Sequence, residues 1–364
     1  MSASASDSLA GTDDPSRLPA YLHLVRPPPH NLPPERTPFV GRDTELAALQ
    51  TYLAGGARLL TLTGPGGAGK TRLARHLALD LLALSAACVA DGAFFVNLAP
   101  LTDPTLVLST IAQTLGLRET ADQPLLDTLI SFLRDKALLL ILDNWEHLLD
   151  AAPLVSDLLD ACPHLTVLAT SREPLHLQGE QEFPLGPLAV PAKGDGRRTE
   201  DVLRITYYPS VQLFVQRARA VKPDFALTEE NAMAVADICR RLDGLPLAIE
   251  LAAARVKALP PQAILQRLDG RLRLLTGGAR DLPTRHQTLR NTLDWSYHLL
   301  TEAEKTLFRR LAVFMGGRTL EAVEVVCVDG EPDGKRQTAD SGQELSAPPS
   351  AYRLLPIAFC LLIF

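Results

Sequence analysis

Eight consecutive residues, Gly64-Pro65-Gly66-Gly67-Ala68-Gly69-Lys70-Thr71, fit the pattern GxxxxGK[ST]. Each residue type answers a chemical need. Glycines open backbone angles closed to other residues, so successive N–H groups can converge on phosphate oxygens. Lys70 supplies a point charge for β- and γ-phosphates, and the Thr71 hydroxyl is a hard oxygen ligand for Mg2+. A helix opening here aims the positive end of its dipole at the same anion.

Two further spots could complete that chemistry. The apolar run Leu138–Leu142 ends in Asp143-Asn144, and a carboxylate at the tip of a central strand beside a phosphate loop can hold Mg2+, directly or through water. Many such ATPases carry a second carboxylate at the position of Asn144; an amide can orient water but cannot accept its proton. Glu146 is the nearest replacement, against the alternative of a solvated Glu at a helix start. Leu165–Thr170 ends in Ser171-Arg172. Ligands collect at strand C-termini in a parallel sheet, so Arg172 can reach a γ-phosphate, unless it is a surface salt-bridge partner. The catalytic candidates are therefore Lys70, Asp143, Glu146 and Arg172, with Thr71 and Asp143 as metal ligands.

These residues need a scaffold, and the pattern supplies one. Arg58–Thr63 reads as a strand, the Gly-rich turn follows, and Thr71 to about Ala83 reads as a helix. Ala93–Asn97 is a second strand; Pro104–Leu115 and Pro124–Arg134 are helices. Ala137–Leu142 is apolar throughout, as a central parallel strand requires. Ala151–Leu159 is helical, Leu165–Thr170 a strand, and Glu180–Phe183 an edge strand; Gly41 to Leu53 forms a short helix in front. Alternating β and α with short turns predicts a doubly wound α/β domain over 39–190. Residues 1–38 hold eight of the 28 prolines and predict a flexible, partly polyproline lead-in. Residues 191–208 read as a linker and 209–278 as a helical domain, with an apolar stripe at Leu245, Ile249, Ala252, Val256 and Leu259. A third block over 279–327 has helices around Thr288–Leu299 and Glu302–Phe314, the second with a Thr301/Glu304 capping box. Residues 328–364 form a polar tail with an apolar end and are expected to be poorly ordered.

Composition narrows the class. The 364 residues are 46% hydrophobic and 21% charged, with a net charge of −6, which excludes fibrous and wholly disordered chains and argues against a surface that tracks phosphate backbones throughout. Five scattered cysteines show no metal-ligand spacing and make a poor disulfide framework. Neither a signal peptide nor a run of about 20 apolar residues is present, so a cytoplasmic protein without membrane partners is expected.

The chain resembles the STAND class of signal-transduction ATPases, of the NB-ARC or AP-ATPase type, and among them the bacterial predicted ATPases of LuxR-type and antibiotic-pathway transcriptional regulators. The resemblance is carried by Asn31-Leu32-Pro33, by Phe39-Val40-Gly41-Arg42-Asp43-Thr44-Glu45-Leu46, by Gly64–Thr71 and by Leu142-Asp143-Asn144-Trp145-Glu146-His147-Leu148. It continues through Ala169-Thr170-Ser171-Arg172-Glu173-Pro174-Leu175, Cys239–Arg255 and Thr288–Gly317. It implies a P-loop NTPase sheet sandwiched by helices, then a small helical domain and a winged-helix domain, complete or truncated. It implies that Val40, Gly41 and Arg42 lie over the adenine side, that Gly64, Pro65, Gly66, Gly67, Ala68, Gly69, Lys70, Thr71 and Arg72 hold the nucleotide, and that Pro246 reaches bound ADP from the helical domain. ATP or ADP with Mg2+ would be the cofactors, and slow hydrolysis would control domain closure and homo-oligomerisation in signal transduction or transcription regulation. A sensor or effector protein is the implied partner. A non-hydrolysing ADP-binding scaffold is the alternative, with Asn144 marking lost chemistry.

Some features fall outside that pattern. His286 lacks the Met-His-Asp context in which some relatives sense ADP. Arginines 267, 271, 273, 280, 285 and 290 cluster near the third block, but winged helices of this class mainly pack on the nucleotide domain, so direct DNA binding is not expected. The apolar end Leu354–Phe364 reads as a truncation product or as a tail that docks in a groove.

Overall fold

The computed structural model describes residues 28–118, 123–193, 199–268, 275, 288–298, 300 and 302–311. Its centre is a five-stranded parallel sheet of β1 (Leu59–Thr63), β2 (Gly92–Asn97), β3 (Leu138–Asp143), β4 (Thr166–Thr170) and β5 (Glu180–Pro184), in the order β2-β3-β4-β1-β5. Successive side chains of a strand face opposite ways. Leu138, Leu140 and Leu142 accordingly enter one core with Val96, Val155 and Val167, while Leu139 and Ile141 enter the other with Leu60, Leu62 and Leu77. Both faces are dry, so an unbroken apolar run is what β3 requires. Each leucine so buried contributes roughly 1.5–3 kcal/mol.

The helices cover those faces. The chain runs through α1 (Asp43–Ala54), α2 (Lys70–Ala83), α3 (Val107–Thr114), α4 (Leu125–Leu133) and α5 (Pro153–Ala161). Leu73, Leu77 and Leu81 of α2 repeat every four residues along its buried side. α1 starts two residues later than the sequence pattern suggests, because Gly41 and Arg42 have φ of 64° and 73°. Pro104–Leu106 forms a 3-10 turn before α3, its backbone capped by the Asp103 side chain.

Two segments hold more structure than the pattern suggests. The end of the expected flexible lead-in is docked, not free: the Ala93 N–H donates to Pro29 O at 3.1 Å, and His30 bridges Ala93 in parallel. The Asn31 side chain accepts from Phe95 N at 2.6 Å and donates to Phe95 O at 2.9 Å. An amide carries donor and acceptor side by side, so it satisfies both groups of a residue on the exposed edge of β2. The expected linker over 191–208 contains α6 (Thr199–Ile205), with Ile205 fully buried against Ala232 and Ala236.

Residues 209–267 are helical, as the pattern predicts: α7 (Pro209–Val221), α8 (Glu229–Arg241), α9 (Pro246–Ala253) and α10 (Pro261–Arg267). The Leu245–Leu259 stripe is less continuous than expected, since α9 passes into a 3-10 turn over Ala254–Lys257. Thr228 and Asn231 form a reciprocal capping box at the start of α8. Further on, α11 (Leu289–His298) and α12 (Glu302–Leu311) are described; two helices do not make a winged helix, and that expectation is not met by what is described. The Thr301/Glu304 cap, His286, arginines 271, 273, 280 and 285, and the tail 328–364 lie outside the described residues. No helix among the described residues is long and apolar enough to cross a membrane.

Candidate functional site: a phosphate loop between strand tips and a helical clamp

The loop Gly64–Gly69 links β1 to α2, so it sits at the C-terminal edge of the sheet with a helix N-terminus behind it. Gly64, Gly67 and Gly69 have φ of 139°, 82° and 96°, which the sequence needs glycine to reach. Lys70 is 7% exposed, and its ammonium donates to the loop's own carbonyls, Gly64 O at 2.7 Å and Pro65 O at 3.0 Å. The lysine thus lies folded over the loop.

Beside it are the tips of β3 and β4. Their register sets Asp143 opposite Thr170. Asp143 Oδ1 accepts from Thr71 Oγ1 and from Thr170 Oγ1, each at 2.6 Å. The Thr170 hydroxyl in turn accepts from the Asn144 N–H at 3.0 Å. The half-buried Thr71 hydroxyl and the buried Asp143 carboxylate, 2.6 Å apart, are hard oxygens of the kind Mg2+ takes, and they fit the metal's chemistry. No cluster of three or more His, Cys, Asp or Glu able to hold a metal occurs among the described residues, so phosphate and water oxygens would complete the shell, as Mg2+ prefers. Thr170 was not singled out by sequence; the signal was available, because it ends a strand beside the one ending in Asp143.

Asn144 has φ 67°. Asn enters that left-handed region more readily than most residues, so its amide side chain suits the turn by which the chain leaves β3. The turn is pinned by the Trp145 N–H on Thr170 O at 2.9 Å. It delivers Glu146 onto Arg172: Nε lies 3.3 Å from Oε1, with side chains 9% and 5% exposed. Neither the solvated glutamate nor the surface arginine considered from sequence describes this pair. Glu146 precedes the next helical turn, which begins at Leu149.

The opposite side of the loop meets the helical region. The Leu247 N–H, near the start of α9, donates to Gly67 O at 3.3 Å, and a Cβ on Gly67 would lie 2.9 Å from Leu247 Cβ. Ala68 belongs to the same apolar cluster as Phe214, Leu245 and Leu247. Pro246 is the first residue of α9, where its missing N–H costs nothing. Gly41 is seated similarly against the first residue of α7: a Cβ there would lie 2.7 Å from Pro209 Cβ. Val40 packs on the helical cluster. Arg42, 9% exposed, donates to Ala68 O at 3.3 Å and Gly186 O at 2.6 Å and pairs with Glu45. It ties the loop to the strap that follows β5.

Arg72 stands apart from the other loop residues. Its guanidinium donates to Thr37 O at 2.8 Å and Pro38 O at 2.7 Å and lies 3.6 Å from Glu250 of α9, which also takes Arg217 of α7 at 3.0 Å. Burial, with Arg217 nearby, holds the Arg72 guanidinium below its ordinary range, against the pull of Glu250. The side chain therefore links the lead-in, α2 and the helical region. Sequence spacing could not show this, since the partners come from three separate segments, the lead-in, α7 and α9.

Comparisons with known proteins bear on the domain that carries the loop. Residues 53–181 match the AAA domain family, and this segment is a P-loop ATPase domain of AAA type. A Mycobacterium tuberculosis protein, Rv0890c, whose name marks it provisionally as an HTH-type transcriptional regulator, is 46% identical over 277 residues, 76% of this chain. The chain spans only 29% of that relative's length. The uncharacterized protein Rv0894 of Mycobacterium tuberculosis is 41% identical over 310 residues. Among solved structures, a Walker-type ATPase of Pyrococcus abyssi is 13% identical with a TM-score of 0.49, over 90% of this chain and 92% of that one. A STAND protein with a tetratricopeptide repeat sensor from Pyrococcus horikoshii is 17% identical with a TM-score of 0.38, over 80% of this chain and 37% of that one. Likenesses at that level say nothing of activity. With 85% of its own length and 74% of the relative's aligned, the chain belongs to the family of Rv0894.

Proposed function

We propose that this chain is a Mg-ATP-operated regulatory switch of the STAND type. Lys70 and the loop amides hold the phosphates, Thr71 and Asp143 hold the metal, and Arg172 reads the γ-phosphate. Hydrolysis is slow, and the ADP state keeps the helical region closed on the nucleotide domain. When bound, the metal would draw charge from the phosphate oxygens; orienting it falls to Thr71 and Asp143. The division into a nucleotide domain over 39–190 and a helical domain over 209–278 belongs to this reading, as do Val40, Gly41, Arg42, Arg72 and Pro246 at the nucleoside side.

One observation carries the proposal: the helical region grips the phosphate loop itself, through the Leu247 N–H on Gly67 O. A ligand that fills the loop must therefore favour one placement of that region over another, which is what makes a two-state element ligand-sensitive. Homo-oligomerisation, a sensor or effector partner and a role in transcription regulation follow from the same reading; the name of the relative Rv0890c supports the last.

The test is mass analysis of nucleotide co-purifying with the protein, with its size measured in ADP and in a non-hydrolysable ATP analogue. Retained ADP, and a larger particle with the analogue, are expected. Equal size in both would overturn the switch. A second reading, a non-hydrolysing ADP-binding scaffold, draws on the amide at Asn144. ADP retention with no turnover at high protein concentration would favour it.

A further inference from the structure

We propose that Arg172 holds Glu146 in reserve: the side chain that reads the γ-phosphate also keeps the water-activating carboxylate idle until that phosphate arrives. This rests on the nucleotide-binding reading above and concerns the regulation of the same site.

Geometry assigns the two roles. Asp143 is engaged by the hydroxyls of Thr71 and Thr170 and belongs to the metal side of the site. Asn144 has no basic atom to offer. Glu146 is a carboxylate delivered to the same strand tips by a pinned turn. Its Oε1 is tied to Arg172, whereas its buried Oε2 makes no hydrogen bond to the protein. A buried oxygen left unsatisfied is costly, and such atoms gather where a ligand or water is to be received.

The pair is also built to part. A buried ion pair gains little net stability, because desolvation offsets the attraction, so a stronger anion can compete for the guanidinium. The γ-phosphate carries more charge than a carboxylate and offers oxygens that a guanidinium takes two at a time. Once Arg172 turns to it, Glu146 is left buried without its cation, the condition in which a carboxylate accepts a proton most readily. The water oxygen then bonds to the γ-phosphorus, and the bond from that phosphorus to the β–γ bridging oxygen breaks, its electron pair leaving on ADP. The water proton passes to Glu146 Oε2 and from there to the phosphate released. ADP has no γ-phosphate, so the Arg172–Glu146 pair closes again.

Glu146→Gln tests this, because it keeps shape and removes the competing charge. Affinities for ADP and for a non-hydrolysable ATP analogue are measured by calorimetry, alongside single-turnover hydrolysis of ATP. We expect the analogue to gain about tenfold over ADP in this variant, within the usual span of coupling between sites. Turnover should fall about 100-fold or more, as when a general base is lost. In Arg172→Gln the preference for the analogue should disappear, and adding Glu146→Gln to it should leave that ratio of affinities unchanged. Equal shifts for ADP and analogue, or turnover within about threefold of the parent, would overturn the proposal. Should Glu146→Gln not fold, Glu146→Asp keeps the charge but withdraws it by one methylene, and the same ratio of affinities decides. If the unaltered protein binds neither nucleotide, the nucleotide reading has failed, a separate result visible before any variant is made.

Discussion

The phosphate loop has two neighbours of opposite character. On the strand-tip side, buried polar groups pair with one another: Asp143 with two hydroxyls, Thr170 with the Asn144 N–H, and Glu146 Oε1 with Arg172. On the helical side, contact is chiefly apolar and shaped by absences, with Leu247 over Gly67 and Pro209 over Gly41. Hydrogen bonds fix direction, so the first side can position reacting atoms. Apolar contact is non-directional and released at modest cost, so the second side suits a surface that must let go. The difference teaches where chemistry and motion would reside in one loop.

Lys70→Ala tests the loop common to both sides and should have the largest effect, an affinity loss for ATP of about 100-fold or more by calorimetry, given the strength of charge-assisted contacts to phosphate. Unchanged affinity would remove the loop from the site. Thr170→Val strikes only the polar side. It deprives Asp143 of a donor and the Asn144 N–H of its acceptor, and should cost about 2–3 kcal/mol in urea melts, the penalty for stranding buried polar groups. Gly67→Ala strikes only the apolar side. A methyl 2.9 Å from Leu247 Cβ, at φ 82°, should cost about 1–2 kcal/mol and speed proteolysis of residues 209–267 before that of the sheet. If Gly67→Ala left the helical region as protected as before, the contrast would be broken. Arg217→Ala removes one partly exposed arm of the Glu250 contact and should shift stability by roughly 0.2–1 kcal/mol, less in high salt.

The smallest effect at neutral pH comes from the helical core. Burial pushes the Cys239 thiol from 9.0 to about 12. The folded state therefore holds this proton when the unfolded chain would lose it. Its contribution is complete below pH 9.0 and declines as pH rises toward 12. Melts at pH 7 and pH 10, compared with Cys239→Ala, should show the parent losing more on alkalinisation.

Much of this was legible in the sequence, because the signals are local. Apolar residues throughout β3 announce a strand covered on both faces; GxxxxGK[ST] between a strand and a helix announces the loop. Residue types at the site were readable for the same reason, but pairings were not. Glu146 and Arg172 lie 26 residues apart, and nothing in either neighbourhood states that the Asn144 turn aims one at the other. Asn31 meets Phe95 across 64 residues, so prolines around it suggest only a lead-in. The helix at Thr199–Ile205 was hidden because its stability comes from α8, against which Ile205 packs, and not from its own short length.

The segment clasped to β2 also decides how this protein can meet others. A parallel sheet ends in two rows of unpaired amides, each a template for a foreign strand. One row is capped by Pro29, His30 and Asn31. The other belongs to β5, which carries Glu180, Gln181 and Glu182 and closes on Pro184, side chains that discourage a further strand. With both rims guarded among the described residues, any contact between copies of this chain would fall on helix surfaces, whose packing can be undone and remade without tearing the sheet.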